Sequence, residues 1–235
     1  GCGSNNGGTA NEGGQTDGET SGIPTDQTLI MVTQQDPQSF NPDFKSDDGA
    51  WPINQNIFNR LVKLGNNTKI NLDLAESYEF SEDGMQLTFH LHDGVKWHDG
   101  EPFTIDDVIF SVDYMNNVMA SGYLSKVESV EKVSDTQVKM HVKDKAAYFT
   151  LGNSAVFVRI FPKHIWENID DPSNYTGDDA TIGCGPYKLV DVDEDARTMT
   201  YEAVGDTYLG KELTVKKVVV RTYDSQDALV MAVTT

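Results

Sequence analysis

An α/β fold is predicted for this chain by three features of its sequence. Residues 86–92 alternate apolar and polar side chains, residues 105–115 carry an apolar stripe at helical spacing, and the C-terminal third is a succession of short β-rich runs separated by turns. The chain has 235 residues, of which 38% are hydrophobic, enough to build one large domain or two modest ones. Its charge balance excludes one class of partner. Eighteen Lys and Arg face 37 Asp and Glu, a net of −19 spread along the chain, and a field of that sign repels phosphate backbones, so no nucleic acid is expected to bind. No run approaches the roughly 18 apolar residues that span a bilayer; any membrane link must be covalent or run through a partner.

The first segment, GCGSNNGGTANEGGQTDGETSG, is Gly, Ser, Thr, Asn and acidic residues almost throughout. Such a composition cannot bury enough apolar surface to offset the entropy of ordering, and residues 1–26 are read as a flexible tether. Ordered sequence begins with TLIMVTQQ, a strand-like run ended by DPQSFNP, whose Pro37 and Pro42 forbid helix or ladder. INQNIFNRLVKL then places Ile53, Ile57, Leu61 and Leu64 at helical spacing before Gly65 and Asn66, which predicts a short amphipathic helix.

Within LTFHLHDGVKWHDGEPFTIDDVIFSVDYM, alternation points Leu87, Phe89 and Leu91 one way and Thr88, His90 and His92 the other. The Asp-Gly pairs at 93–94 and 99–100 are turn signals that bracket VKWH as a further short strand. Thr104 has the character of an N-cap with Asp107 as the capping-box acid, followed by Ile105, Val108, Ile109, Val112 and Met115 on one helical face. VESVEKV and QVKMHV form a hairpin turning through Ser134 and Asp135. Residues 157–161 are predicted as a strand, PKHIWENI as a short helix entered at Pro162, and YKLVDVDED, TMTYEAV and LTVKKVVVRTY as strands. SQDALVMAVTT has the pattern of a helix start.

Candidate chemistry is sparse. His90, His92 and His98 fall at a spacing a metal site could use, but period-two alternation produces the same spacing on a solvent-facing strand, and a site would need a fixed outer shell as well. Scaffold is the favoured reading. The acid pairs Asp47-Asp48, Asp106-Asp107 and Asp178-Asp179 could suggest acid/base work, yet two lie in cap or turn contexts on a strongly acidic surface. No nucleophile elbow, phosphate-binding Gly loop or HExxH is present. The two cysteines, Cys2 and Cys184, form no zinc ladder, and a disulfide between a tail and a Gly-rich loop is not expected. Cys184, between two glycines, has the setting of a possible nucleophile without a local base. No enzymatic activity and no cofactor are predicted.

The span YEFSEDGMQLTFHLHDGVKWHDGEPFTIDDVIFSVDYM closely resembles the signature region of the family 5 extracellular solute-binding proteins, the peptide and nickel receptors of ABC importers. DPQSFNP, NIFNRLVKL, LDLAESYEF and IGCGPYKL follow the order of that family, with Cys184 in place of the usual Thr of a Gly-Thr-Gly-Pro-Tyr loop and His92 where Arg is common. The resemblance runs from about Thr28 to the last residue. It implies a mixed-sheet N-terminal lobe of a two-lobed periplasmic-binding-protein-like receptor at residues 27–235, with the second lobe absent from this sequence. It also implies a monomer that captures peptides or other small solutes outside the cytoplasmic membrane and hands them to a membrane ABC permease. In the same light Gly1-Cys2-Gly3 resembles the end of a lipoprotein signal, making Cys2 a lipidated residue that anchors the protein to the membrane. Ligand contacts implied by position are Asp36, Pro37 and Gln38, with Cys184 and Gly185 near the hinge or cleft. Trp51 and Tyr123 are further candidates, for which a core aromatic and a packed loop residue are the plainer readings. A metal or metal-chelate receptor of the same fold and a secreted hydrolase are the rival functions.

Overall fold

The computed structural model describes residues 28–33, 59–64, 70–118, 124–145, 159–175, 177–205, 208 and 213–224. The tether, Cys2, the Asp36–Gln38 segment, Trp51, Tyr123 and the expected helix at 225–235 lie outside the described residues. In chain order the strands are β1 (Thr28–Thr33), β2 (Val62–Leu64), β3 (Ile70–Leu72), β4 (Ala75–Phe80), β5 (Gln86–Leu91), β6 (Val127–Lys132), β7 (Gln137–Val142), β8 (Tyr187–Asp193), β9 (Thr198–Ala203) and β10 (Lys217–Thr222). The α-helices are α1 (Ile105–Asp113) and α2 (Lys163–Trp166).

These strands form three sheets. An antiparallel sheet of order β4-β5-β7-β6 carries the larger core. β5, near its centre, buries every second residue as alternation predicts, with Leu87, Phe89 and Leu91 inside. Register sets Phe89 opposite Tyr78 on one side and Val138 on the other, and Leu87 opposite Phe80 and Met140, so the inner face is a continuous apolar ladder. Each such side chain contributes about 1.5–3 kcal/mol by leaving water. Gly94 and Gly100 both take φ in the left-handed region, 71° and 90°, which is the physical content of the two Asp-Gly turn signals.

Across the core lies α1, packed against β6 and β7. Its stripe is buried at Ile105, Val108 and Val112, continues to Met115 and is partly buried at Ile109. The capping box is present, with the Thr104 N–H donating to Asp107 Oδ2 at 2.8 Å. Asp107 does more than cap. It also accepts the Trp97 indole N–H at 3.2 Å and the Lys163 backbone N–H at 2.9 Å, tying the turn before α1 and the start of α2 to one buried carboxylate. After Asp113 the helix widens into a π-helical turn, Tyr114–Val118.

A second four-stranded sheet has the order β1-β10-β9-β8, with β1 parallel to β10 and the other pairs antiparallel. Its core is small: Met199, Tyr201, Val218 and Val220 are buried, with Met31, Tyr187, Leu189 and Val215 packed against them.

Three local expectations are corrected. Residues 59–64 are not the end of a helix: Val62–Leu64 pairs antiparallel with Ile70–Leu72 as a two-stranded sheet, Val62 opposite Leu72. Apolar spacing at Leu61 and Leu64 fits a helix locally, but ladder bonds to β3 and capture of the Arg60 N–H by Asp73 at 3.0 Å hold this stretch extended. Of the strand expected at 157–161, the described part is one isolated bridge, Arg159 to Arg60. VKWH likewise reduces to a single bridge, Lys96 to Pro102, because Val95 and Trp97 are drawn into the core between two tight turns.

Candidate functional site at the seam between the sheets

The connection from α2 to β8 brings Gly183, Cys184 and Gly185, all buried, against the turn at 97–100. His98 is the clasp. Its backbone N–H donates to the Gly183 carbonyl at 2.8 Å, its Nδ1 accepts the Gly183 N–H at 3.2 Å, and its Nε2 lies 2.9 Å from the Gly185 carbonyl. A carbonyl can only accept, so the proton sits on Nε2 and the imidazole is neutral. Burial holds the His98 pKa below its ordinary value, opposed by the hydrogen bond to Gly185, lowered further by Lys188 and raised by Asp99.

Beside this clasp lies a buried polar knot centred on Asp73. Its carboxylate accepts the Asn59 amide at 3.0 Å, the Arg60 backbone N–H and the Tyr208 hydroxyl, with Lys63 Nζ at 3.4 Å. Tyr208 belongs to the chain between β9 and β10, so its hydroxyl carries a second tie from the β8–β10 sheet to the rest of the molecule. Burial, then the Asp73 charge and hydrogen bond, push the Tyr208 pKa far above its ordinary value, so it remains a neutral donor.

Cys184 is buried between the clasp and the knot. Burial first, and the charges of Asp73 and Asp107 next, raise its thiol pKa well above normal. A thiol held protonated is a poor nucleophile, so the setting does not suit covalent catalysis. Cys184 and Gly185 line a cavity of about 480 Å³ together with Trp97, His98, Lys188 and Tyr208. The remaining ligand candidates, Asp36, Pro37, Gln38, Trp51 and Tyr123, fall outside the described residues, so the structure brings only Cys184 and Gly185 together.

The histidines divide. His90 and His92 sit on the solvent side of their sheet, His90 bonded to Gln137 at 2.9 Å and near Glu79, His92 3.3 Å from Glu76 and packed on the Tyr208 ring. His98 is turned to the seam. Among the described residues, no group of three His, Cys, Asp or Glu side chains could hold a metal ion. Of the acid pairs, Asp106 is exposed while Asp107 serves the cap, and Asp179 accepts the Tyr175 hydroxyl. Asp73, Asn59 and Tyr208 are the residues the sequence did not single out. Asp73 lies between two leucines on a strand-like run, and nothing local signals that donors from residues 59–63 and from Tyr208 converge on it.

Two sheets joined by a short buried seam, the larger with its own helix and core, match the first lobe of a cleft-type solute receptor. Residues 69–235 match the model for bacterial extracellular solute-binding proteins, family 5, and the chain belongs to that family. The dipeptide-binding protein of Escherichia coli is 30% identical over 209 residues, which cover 78% of this chain and 38% of that protein. The oligopeptide-binding protein AppA of Bacillus subtilis, solved in complex with a nonapeptide, superposes with a TM-score of 0.78 at 26% identity, over 88% of this chain and 42% of AppA. NikZ of Campylobacter jejuni, solved with Ni(L-His), superposes with a TM-score of 0.74 at 27% identity, over 90% of this chain and 42% of NikZ. The chain thus spans about two fifths of the length of these relatives.

Proposed function

We propose that this protein is the extracytoplasmic substrate-binding component of an ABC transporter, capturing peptides or similar small solutes and presenting them to a membrane permease. The observation that carries the reading is family membership together with likeness to relatives named as dipeptide- and oligopeptide-binding proteins. Residues 27–235 act as one lobe of a receptor that closes on its ligand by a hinge motion, and the permease reads the closed form. The protein works as a monomer and catalyses nothing; the protonated, buried Cys184 supports that against a thiol hydrolase.

Asp36, Pro37 and Gln38 follow β1, which lies at the end of its sheet in the order β1-β10-β9-β8. They offer main chain to an extended peptide, which gives affinity without reading side chains. Cys184 and Gly185 flank the cleft at the seam, with Trp51 and Tyr123 as aromatic contacts. A metal-chelate receptor is the second reading, favoured by the likeness to NikZ. Residues 1–26 form a tether that begins at a lipidated Cys2 and holds the receptor at the membrane.

Native mass spectrometry of the protein purified from its host tests these readings together. The expected spectrum shows a co-purified peptide and a diacylglyceryl mass increment on the fragment that carries Cys2. A bound metal chelate without peptide would move the assignment to the second reading, and an unmodified Cys2 would remove the anchor.

A further inference from the structure

We propose that His98 is a pH-sensitive latch that couples the antiparallel sheet to the β8–β10 sheet, closed when its imidazole is neutral and released when Nδ1 takes a proton. The inference rests on geometry and is independent of the ligand. His98 makes three hydrogen bonds to one three-residue loop, and each ring nitrogen has a distinct role: Nε2–H donates to the Gly185 carbonyl while Nδ1 accepts from the Gly183 N–H. The Nε2 bond survives protonation. The Nδ1 bond does not, because a second ring proton would point at the Gly183 N–H, donor against donor, across 3.2 Å. Gly183 is buried, so losing this acceptor leaves its N–H unpaired unless the loop moves.

Charges around the ring set which state wins. Lys188, on β8 directly after the loop, opposes a cation on His98, and Asp99, next in the chain, favours one. Asp99 is partly engaged elsewhere: its Oδ2 accepts from His164 Nε2 at 2.7 Å. Asp93 and Lys96 of the neighbouring turn line the same cavity with opposite signs, and the two remaining titratable groups that face it, Cys184 and Tyr208, are held neutral by burial. With the pKa of His98 lowered in the folded state, the latch contributes its full stability above the unfolded value of about 6.5 and loses it as pH falls through the folded value. The 480 Å³ cavity lined by His98, Cys184 and Gly185 gives water and the displaced loop a place to go.

Hydrogen exchange read by mass spectrometry on a peptide containing Gly183–Gly185 tests this, with rates corrected for intrinsic pH dependence between pH 7.5 and 4. In the native protein the corrected rate should rise by up to roughly tenfold per pH unit as pH falls from about 6.5 toward the lower folded value of His98, and level off below it, since protonation favours the open form only between the two values. In His98→Gln, which cannot titrate, it should stay flat. A flat profile in the native protein, or an equal acid acceleration in both, overturns the latch. Should His98→Gln fail to fold, the native protein alone decides: imidazole ¹⁵N shifts must show the Nε2–H tautomer and a midpoint below 6.5. The Nδ1–H tautomer, or a midpoint at or above that value, overturns the proposal as surely.

Discussion

The two four-stranded sheets have similar strand lengths and very different interiors. The β4-β5-β7-β6 sheet, covered by α1, buries Leu87, Phe89, Val138 and Met140 at 1% exposure or less and gathers Trp97, Phe161 and Trp166 around them. Among the described residues the β1-β10-β9-β8 sheet buries four apolar side chains and leaves Leu29, Ile30, Val190 and Val192 each between 42% and 51% exposed. Stability is therefore concentrated in the first sheet, while the second is held in place through the seam, by His98 on the Gly183–Gly185 loop and by Tyr208 on Asp73.

The sharpest way to break this comparison is to empty each core in turn. Phe89→Ala should cost about 3–5 kcal/mol and lower the main unfolding transition, because a closed interior cannot collapse around the missing ring. Met199→Ala should cost about 2 kcal/mol, at the low end for such a truncation, because the thin core around it can relax. Urea melts of both variants read the difference, and an equal loss in the two would mean the sheets are equally well supported. A third substitution tests the role of the seam. Tyr208→Phe removes a charge-directed hydrogen bond worth about 1.5–3 kcal/mol. Its loss should speed hydrogen exchange in β8–β10 while leaving β5 unchanged. Uniform acceleration across both sheets would deny that Tyr208 is a tie between them.

Much of the first sheet was legible in the sequence because each signal was local. Alternation over β5, the Thr104–Asp107 box, the apolar stripe of α1, the Asp-Gly turns and the β6–β7 hairpin all depend on residues within a few positions of one another. The outward placement of His90 was legible for the same reason. What was not legible depends on long-range partners. Val62–Leu64 becomes a strand through β3 and Asp73, although Leu61 and Leu64 are spaced as in a helix. His98 shares its neighbours' spacing, yet it alone crosses to residues 85 and 87 positions away. Asp73 and Tyr208, 135 positions apart, carry no mark of their pairing.

The functional account is tested most directly by thermal melting of the protein from its host, after removal of co-purified solute, against dipeptides, longer peptides and nickel–histidine. A solute that binds only the folded state adds about 2.7 kcal/mol of stability at a hundred times its dissociation constant, an easily measured upward shift. The account predicts that shift with a peptide and none with the chelate. A shift with nickel–histidine and none with any peptide would contradict it.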